Sequence, residues 1–127
     1  FFEVMLAELA RPEHADVGAV AGYITNQHFD GTRSPRWRLF RALGLFTTYE
    51  PGRYNFQTGY PINRYMQPPH ESVREIDCMG TNCAVWRREL FRAGVRFAPF
   101  FVGYAVVEDA HLALQARTRG WRILECG

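Results

Sequence analysis

Residues 108–124 read EDAHLALQARTRGWRIL, and this stretch decides the fold. Two carboxylates, Glu108 and Asp109, open it, and Arg117 and Arg119 close its first two-thirds. That order complements the positive N-terminal and negative C-terminal ends of a helix dipole, so a helix is expected from Glu108 to Arg119. Gly120 is a helix stop, and Trp121 to Leu124 resumes as a strand. A helix handed to a strand across one glycine is the repeating step of a layered α/β fold.

Working outward, the same alternation recurs. Val73 to Asp77 has extended character, and Arg87 to Ala93 reads as a short helix closed by Gly94. At the other end, Phe2, Met5, Leu6 and Leu9 share helical spacing in a segment, Phe2 to Ala10, that ends before Pro12. Val17 to Thr25 is an apolar run with two small residues, Gly18 and Gly22, and reads as a buried strand. Ser34-Pro35 combines a hydroxyl N-cap with proline at the first helical position, so a helix should run to about Leu43, stopped by Gly44. Between Phe46 and Ser72 the pattern breaks: Gly52, Gly59, Pro61, Pro68 and Pro69 punctuate a stretch rich in Tyr, Asn and Gln. It is expected to be a long functional loop.

The 127 residues suffice for one globular domain, and the 47% hydrophobic content excludes a disordered chain. The apolar stretch from Phe97 to Val107 is too short and too interrupted to span a bilayer. A net charge of +2 supplies no global field for nucleic acid. Every basic residue is Arg, a choice that suits phosphate or carboxylate forks but is also what a GC-rich coding sequence yields. Cys78, Cys83 and Cys126 are odd in number and lack Cys-x-x-Cys spacing, which argues against a zinc or disulfide framework and for a reducing cytoplasm. No charged leader precedes an apolar signal core. The histidines, His14, His28, His70 and His111, lack metal-ligand spacing.

Position alone makes Glu108 and Asp109 good first-turn residues. Neighbouring helix residues point about 100° apart, so the pair cannot flank one bond as glycosidase carboxylates do. Asp77 is either a strand-end ligand or a turn cap. Gly80, Thr81 and Asn82 form either a plain polar turn or a pocket edge, where glycine permits close approach and the amide both donates and accepts. Trp86, Tyr104 and Trp121 could stack on sugars, but isolated aromatics in an α/β domain more often belong to the core. Residues 33–46 interleave Arg33, Arg36, Arg38 and Arg41 with Trp37, Leu39, Phe40 and Leu43. The stretch is either a surface helix packing an apolar stripe on the sheet or a peripheral contact with an anionic membrane.

Taken in order over residues 76–120, these elements resemble the second half of the catalytic domain of family 2 glycosyltransferases. The matching parts are Ile76-Asp77, Gly80-Thr81-Asn82, Arg87 to Phe91, Gly94 to Phe97, and the aromatic Phe100 to Tyr104. They lead to Glu108-Asp109, Leu112, Leu114 and Gly120-Trp121-Arg122-Ile123. The resemblance implies an inverting transferase of the GT-A, Rossmann-like α/β fold, with residues 1–127 forming one partial domain on its acceptor side. It implies Asp109 as catalytic base, with Glu108, Asp77, Gly80, Thr81 and Asn82 about the substrate. The family's Asp-x-Asp motif and nucleotide-binding half precede a helix and strand like Phe2 to Ala10 and Val17 to Thr25. A divalent ion, Mg²⁺ or Mn²⁺, is therefore expected on ligands mostly outside this chain, with no metal ligand assigned within it. The partners implied are a nucleotide-sugar donor and a glycan, lipid or protein acceptor, at the cytoplasmic face of a membrane or in the cytoplasm. Gln115 and Arg117 do not reproduce the spacing of the Gln-x-x-Arg-Trp signature of processive members. Two other readings stand beside this one: a sugar nucleotidyltransferase, and a non-catalytic carbohydrate-binding or assembly subunit of the same fold.

Overall fold

The computed structural model describes residues 2–30, 34–44, 50–56, 59–101 and 107–127. Helix α1 (Phe2–Ala10) leads to strand β1 (Val17–Gly22), and helix α2 (Pro35–Ala42) follows. A hairpin of β2 (Tyr54–Asn55) and β3 (Tyr60–Pro61) precedes β4 (Arg74–Ile76) and β5 (Ala84–Trp86). Helices α3 (Arg88–Arg92) and α4 (Glu108–Thr118) and strand β6 (Arg122–Cys126) complete the order. Sequence periodicity therefore locates α1, α2, α3 and α4 to within a residue or two of their ends.

One mixed sheet organises the chain, in the order β4-β6-β1-β5. β1 and β6 run parallel at its centre, while β5 lies antiparallel to β1 and β4 antiparallel to β6. This is an α/β class fold, with helices on both faces. On one face, Met5 and Leu9 of α1 pack with Val17, Val20, Leu124 and Cys126. On the other, Leu90 of α3 and Leu112, Ala113 and Ala116 of α4 pack with Ala19, Ala21, Ile76 and Ile123. Val17 and Val20 could not share a face under strict two-residue alternation. The register between β1 and β6 shifts between Val17 and Ala19, and that irregularity turns Val17 onto the α1 side.

Small side chains in β1 let the layers approach. A Cβ on Gly18 would stand 2.5 Å from Leu90 Cδ1 and 3.1 Å from Trp121 Cβ. Arg87 joins the layers at the same end: its Nε donates to the carbonyl of Val17 at 2.8 Å and its Nη2 to that of Leu9 at 2.6 Å. The Leu9 carbonyl belongs to the last turn of α1, where no intrahelical donor remains. Trp86 and Trp121 both pack against the α3/α4 core cluster, so of their two readings the core one is observed. Tyr104 lies outside the described residues.

The expectation of a structureless stretch over Phe46 to Ser72 needs correcting. Its described part contains the β2–β3 hairpin and a 3-10 turn at Arg64–Met66, and it buries Asn55, Ile62, Arg64, Tyr65 and Met66. Gly52 makes this possible. Its φ of +87° is open to glycine, and a Cβ there would lie 2.8 Å from Ile76 Cγ2. The Gly52 carbonyl accepts from the amides of Asp77 and Cys78, which pins the hairpin to the end of β4. The strand β5 was also not expected from the sequence, because it is only three residues long.

Candidate functional site

The N-terminus of α4 opens onto a cleft of about 480 Å³. Its lining includes Asp109, Gly80 and Asn82, together with Gln27, Asn63 and Tyr65. The size suits a small polar ligand, and most of its polar groups are amides, a hydroxyl and one carboxylate. Among the described residues, Asp109 is the sole acidic side chain on this lining.

Local geometry explains how Asp109 arrives there. Its neighbour Val107, the N-cap of α4, has φ 80° and ψ 3°, a left-handed conformation that a β-branched residue rarely adopts. Val107 supplies no side-chain cap. Instead Asp109 Oδ1 accepts a hydrogen bond from the Ala110 amide at 2.8 Å, within the half-buried first turn. The other oxygen, Oδ2, lies 3.4 Å from the point where a Cβ on Gly80 would stand, and Asn82 Oδ1 lies 2.8 Å from that same point. A side chain at position 80 would crowd both groups, so glycine keeps the carboxylate and the amide together. Strain beside a cleft of this kind is a feature of functional sites.

The remaining residues singled out in the sequence fall in different places. Glu108 is half-buried and is not on the cleft lining. Thr81 starts the 3-10 turn Thr81–Cys83 between Gly80 and β5, and its side chain falls outside the described residues. Asp77 is buried behind the cleft. Its Oδ1 meets Arg53 and Arg117 guanidiniums at 2.9 Å each, and its Oδ2 accepts from the Tyr54 amide at 3.1 Å. Those contacts occupy both oxygens, so Asp77 ties α4 to the hairpin rather than facing a ligand.

Tyr54 adds a second tie. Its hydroxyl donates to the Ala110 carbonyl, one residue after Asp109. Burial pushes the phenol pKa far above its ordinary value, and the charges of Cys78, Asp109 and Asp77 push the same way. The phenol therefore stays protonated and remains a donor. α4 is held to the hairpin near both ends, through Ala110 and Arg117.

Cys78 lines the cleft, but burial pushes its thiol up to about 12, with the Asp77 charge adding to the effect. The thiol donates to the Gly52 carbonyl at 3.5 Å. A thiol in that state is no nucleophile at neutral pH. Arg64 is 3% exposed, and its guanidinium donates to the Gly22 carbonyl and the Tyr65 hydroxyl. His111 sits against the rings of Phe100 and Phe101 and bonds Gln115, away from Asp109. Among the described residues, no three His, Cys, Asp or Glu side chains converge as a metal-binding set. With Asp109 as its one carboxylate among the described residues, the lining does not by itself fit a divalent ion.

What remains is one half-buried carboxylate in a cleft of hydrogen-bonding amides. Such a group can accept a proton from a bound hydroxyl, and the amides can orient a polyhydroxylated ligand. A second carboxylate across the cleft, which glycoside hydrolysis requires, is lacking among the described lining residues. Gln27, Asn63 and Tyr65 were not singled out from the sequence. Asn63 and Tyr65 do lie in the Gly- and Pro-punctuated stretch that was expected to carry function. Gln27 carries no such signal, since a lone amide in a turn has no pattern. Among the described residues, no helix is long and apolar enough to cross a membrane. Compared with family models, curated proteins and solved structures, the chain matches none.

Proposed function

We propose that this chain forms the acceptor side of an inverting, family 2 type glycosyltransferase, with its α/β sheet belonging to the GT-A form of that class. One observation carries the reading: Asp109 Oδ2 and Asn82 Oδ1 both lie within 3.4 Å of the point where a Cβ on Gly80 would stand, and all three residues line a polar cleft. These are positions that the family resemblance names, and they lie on separate elements of the fold.

The chemistry asked of Asp109 is simple. An acceptor hydroxyl oxygen forms its bond to the anomeric carbon of a nucleotide sugar from the face opposite the nucleotide. The bond from that carbon to the diphosphate oxygen breaks, and the nucleoside diphosphate leaves with the electron pair. The hydroxyl proton passes to Asp109 as the new bond forms, since an un-ionised alcohol is a weak nucleophile. Asn82 and Asn63 hydrogen-bond the hydroxyls of the bound sugar, and Glu108 supports the helix start. A cytoplasmic setting, at or near a membrane face, is consistent with the free thiols of Cys78, Cys83 and Cys126.

The test is Asp109→Asn in the full-length protein, assayed with a panel of nucleotide sugars and saccharide acceptors. Transfer should fall by about 10²–10⁴-fold, the usual worth of a general base, while donor binding persists. The product anomer, read by NMR, should be inverted. Undiminished transfer removes Asp109 as the base, and a retained configuration removes the inverting mechanism.

A further inference from the structure

Helix α2 is unlike the other long helices. Met5 and Leu9 bury one face of α1, and Leu112, Ala113 and Ala116 bury one face of α4. No residue of α2 is buried. Leu39 is 55% exposed and Leu43, one turn later, is 63% exposed. Trp37 and Phe40 are half-buried, while Leu39 and Leu43 face outward.

The charge of the segment is one-sided. Residues 34–44 contain Arg36, Arg38 and Arg41 and no acidic residue. Among the described residues, no carboxylate forms an ion pair with any of the three. At about 100° per residue, Ala42, Leu39 and Leu43 fall in one sector of the helix. Arg38 and Arg41 occupy the neighbouring sector, and Arg36 flanks the leucines on the other side, its guanidinium 5.2 Å from the centre of the Phe40 ring. An apolar strip bordered by arginines is the arrangement that lies in a lipid headgroup layer, leucines down and guanidiniums at phosphate level.

We infer that α2 docks this protein onto an anionic lipid surface, with Leu39 and Leu43 entering the acyl boundary and Arg36, Arg38 and Arg41 binding headgroup phosphates. Charge complementarity selects this occupant over a second copy of the chain, which would bring three more guanidiniums to the same face. The ends of the candidate stretch, Arg33 and residues 45–46, lie outside the described residues and are not needed.

The test is co-sedimentation of the protein with mixed phosphatidylglycerol–phosphatidylcholine vesicles and with pure phosphatidylcholine vesicles. Binding should require the anionic lipid and weaken as salt is raised. Arg36→Gln/Arg38→Gln/Arg41→Gln should weaken partitioning about 100-fold, from the usual worth of each basic residue near such a surface. Leu39→Ser/Leu43→Ser should also release the protein. All five of these side chains are exposed, so circular dichroism and melting should not change. Absence of binding to the anionic vesicles at low salt overturns the inference. So does equal binding by the arginine variant, or a dimer in solution that the leucine variant dissociates.

Discussion

Glu125 is completely buried in β6, and its removal is the sharpest test of how the cleft wall is held. Its carboxylate meets Arg74 Nη2 at 3.1 Å, Arg64 Nη1 at 3.7 Å and His70 Nε2 at 3.8 Å. These partners come from the 3-10 turn, the segment after it and β4, so one carboxylate fastens the part of the wall that carries Arg64 onto the central sheet. Glu125→Gln removes the charge and keeps the shape. Arg64 and Arg74 are then left buried or half-buried without their counter-ion, a change that costs about 3–5 kcal/mol. A chain of this length has about 6–19 kcal/mol of stability in total, so the loss is large but survivable. With a urea m-value of about 1–3 kcal/mol/M, the lower bound of that loss moves the midpoint down by about 1–3 M. Urea titration followed by circular dichroism reads this directly. The companion variant Glu125→Gln/Arg74→Met should be less damaging than the sum of its parts, because the second change removes one of the stranded cations. A midpoint shift below about 0.5 M, or strict additivity of the two changes, would refute the cluster as the fastening of the wall.

Three further outcomes can be checked on the same protein. Val107→Asn should raise the melting temperature, since asparagine tolerates the left-handed conformation and can cap α4; relief of strain and a new cap together amount to about 1–3 kcal/mol. If that strain aims Asp109, transfer activity should fall as stability rises. Gly18→Ala should destabilise by about 1–3 kcal/mol, because the added methyl overlaps Leu90 Cδ1 and presses on Trp121 in a filled core; a neutral result in chemical denaturation would contradict the close packing. The exposed fork in which Arg122 Nε and Nη2 grip Asp16 at 2.7 and 2.9 Å holds the Asp16 pKa below 3.8. A lowered folded pKa means the pair stabilises above pH 3.8 and that its contribution fades as pH falls through the folded value. In Arg122→Gln, an NMR titration of Asp16 should move back up towards 3.8.

The helices were legible because their signals are local. Phe2, Met5 and Leu9 mark α1 by spacing, Ser34-Pro35 marks the start of α2, and Gly120, at φ +84°, ends α4 as expected. The hairpin and β5 were not legible, because short strands gain stability only from partners far along the chain. β5 exists because Ala19, Val20 and Ala21 of β1 pair with it, and no pattern within Ala84–Trp86 announces that. The site shows the same division. Asp109 and Asn82 could be named from their order in the chain, and the fold brings them together. Asp77 reads in sequence as either a ligand or a turn cap, yet Arg53, from 24 positions earlier, occupies one of its oxygens. Which charge meets which is decided by tertiary placement, and linear order carries little of it.

The parallel pairing of β1 with β6 also governs how this chain can be made. Val17–Gly22 finds its central neighbour only in Arg122–Cys126, about a hundred positions later. At ribosomal rates of about 5–20 residues per second, that strand waits some seconds for its partner. During that interval α1 can cover one face, β5 one edge and α3 and α4 the other face, but the edge that β6 will fill stays open. A sheet whose middle closes last folds slowly for its size and exposes an apolar edge while it does. Nascent-chain stalling before Arg122 should therefore leave β1 protease-sensitive and open to chaperone capture, and release past Cys126 should protect it in a single step.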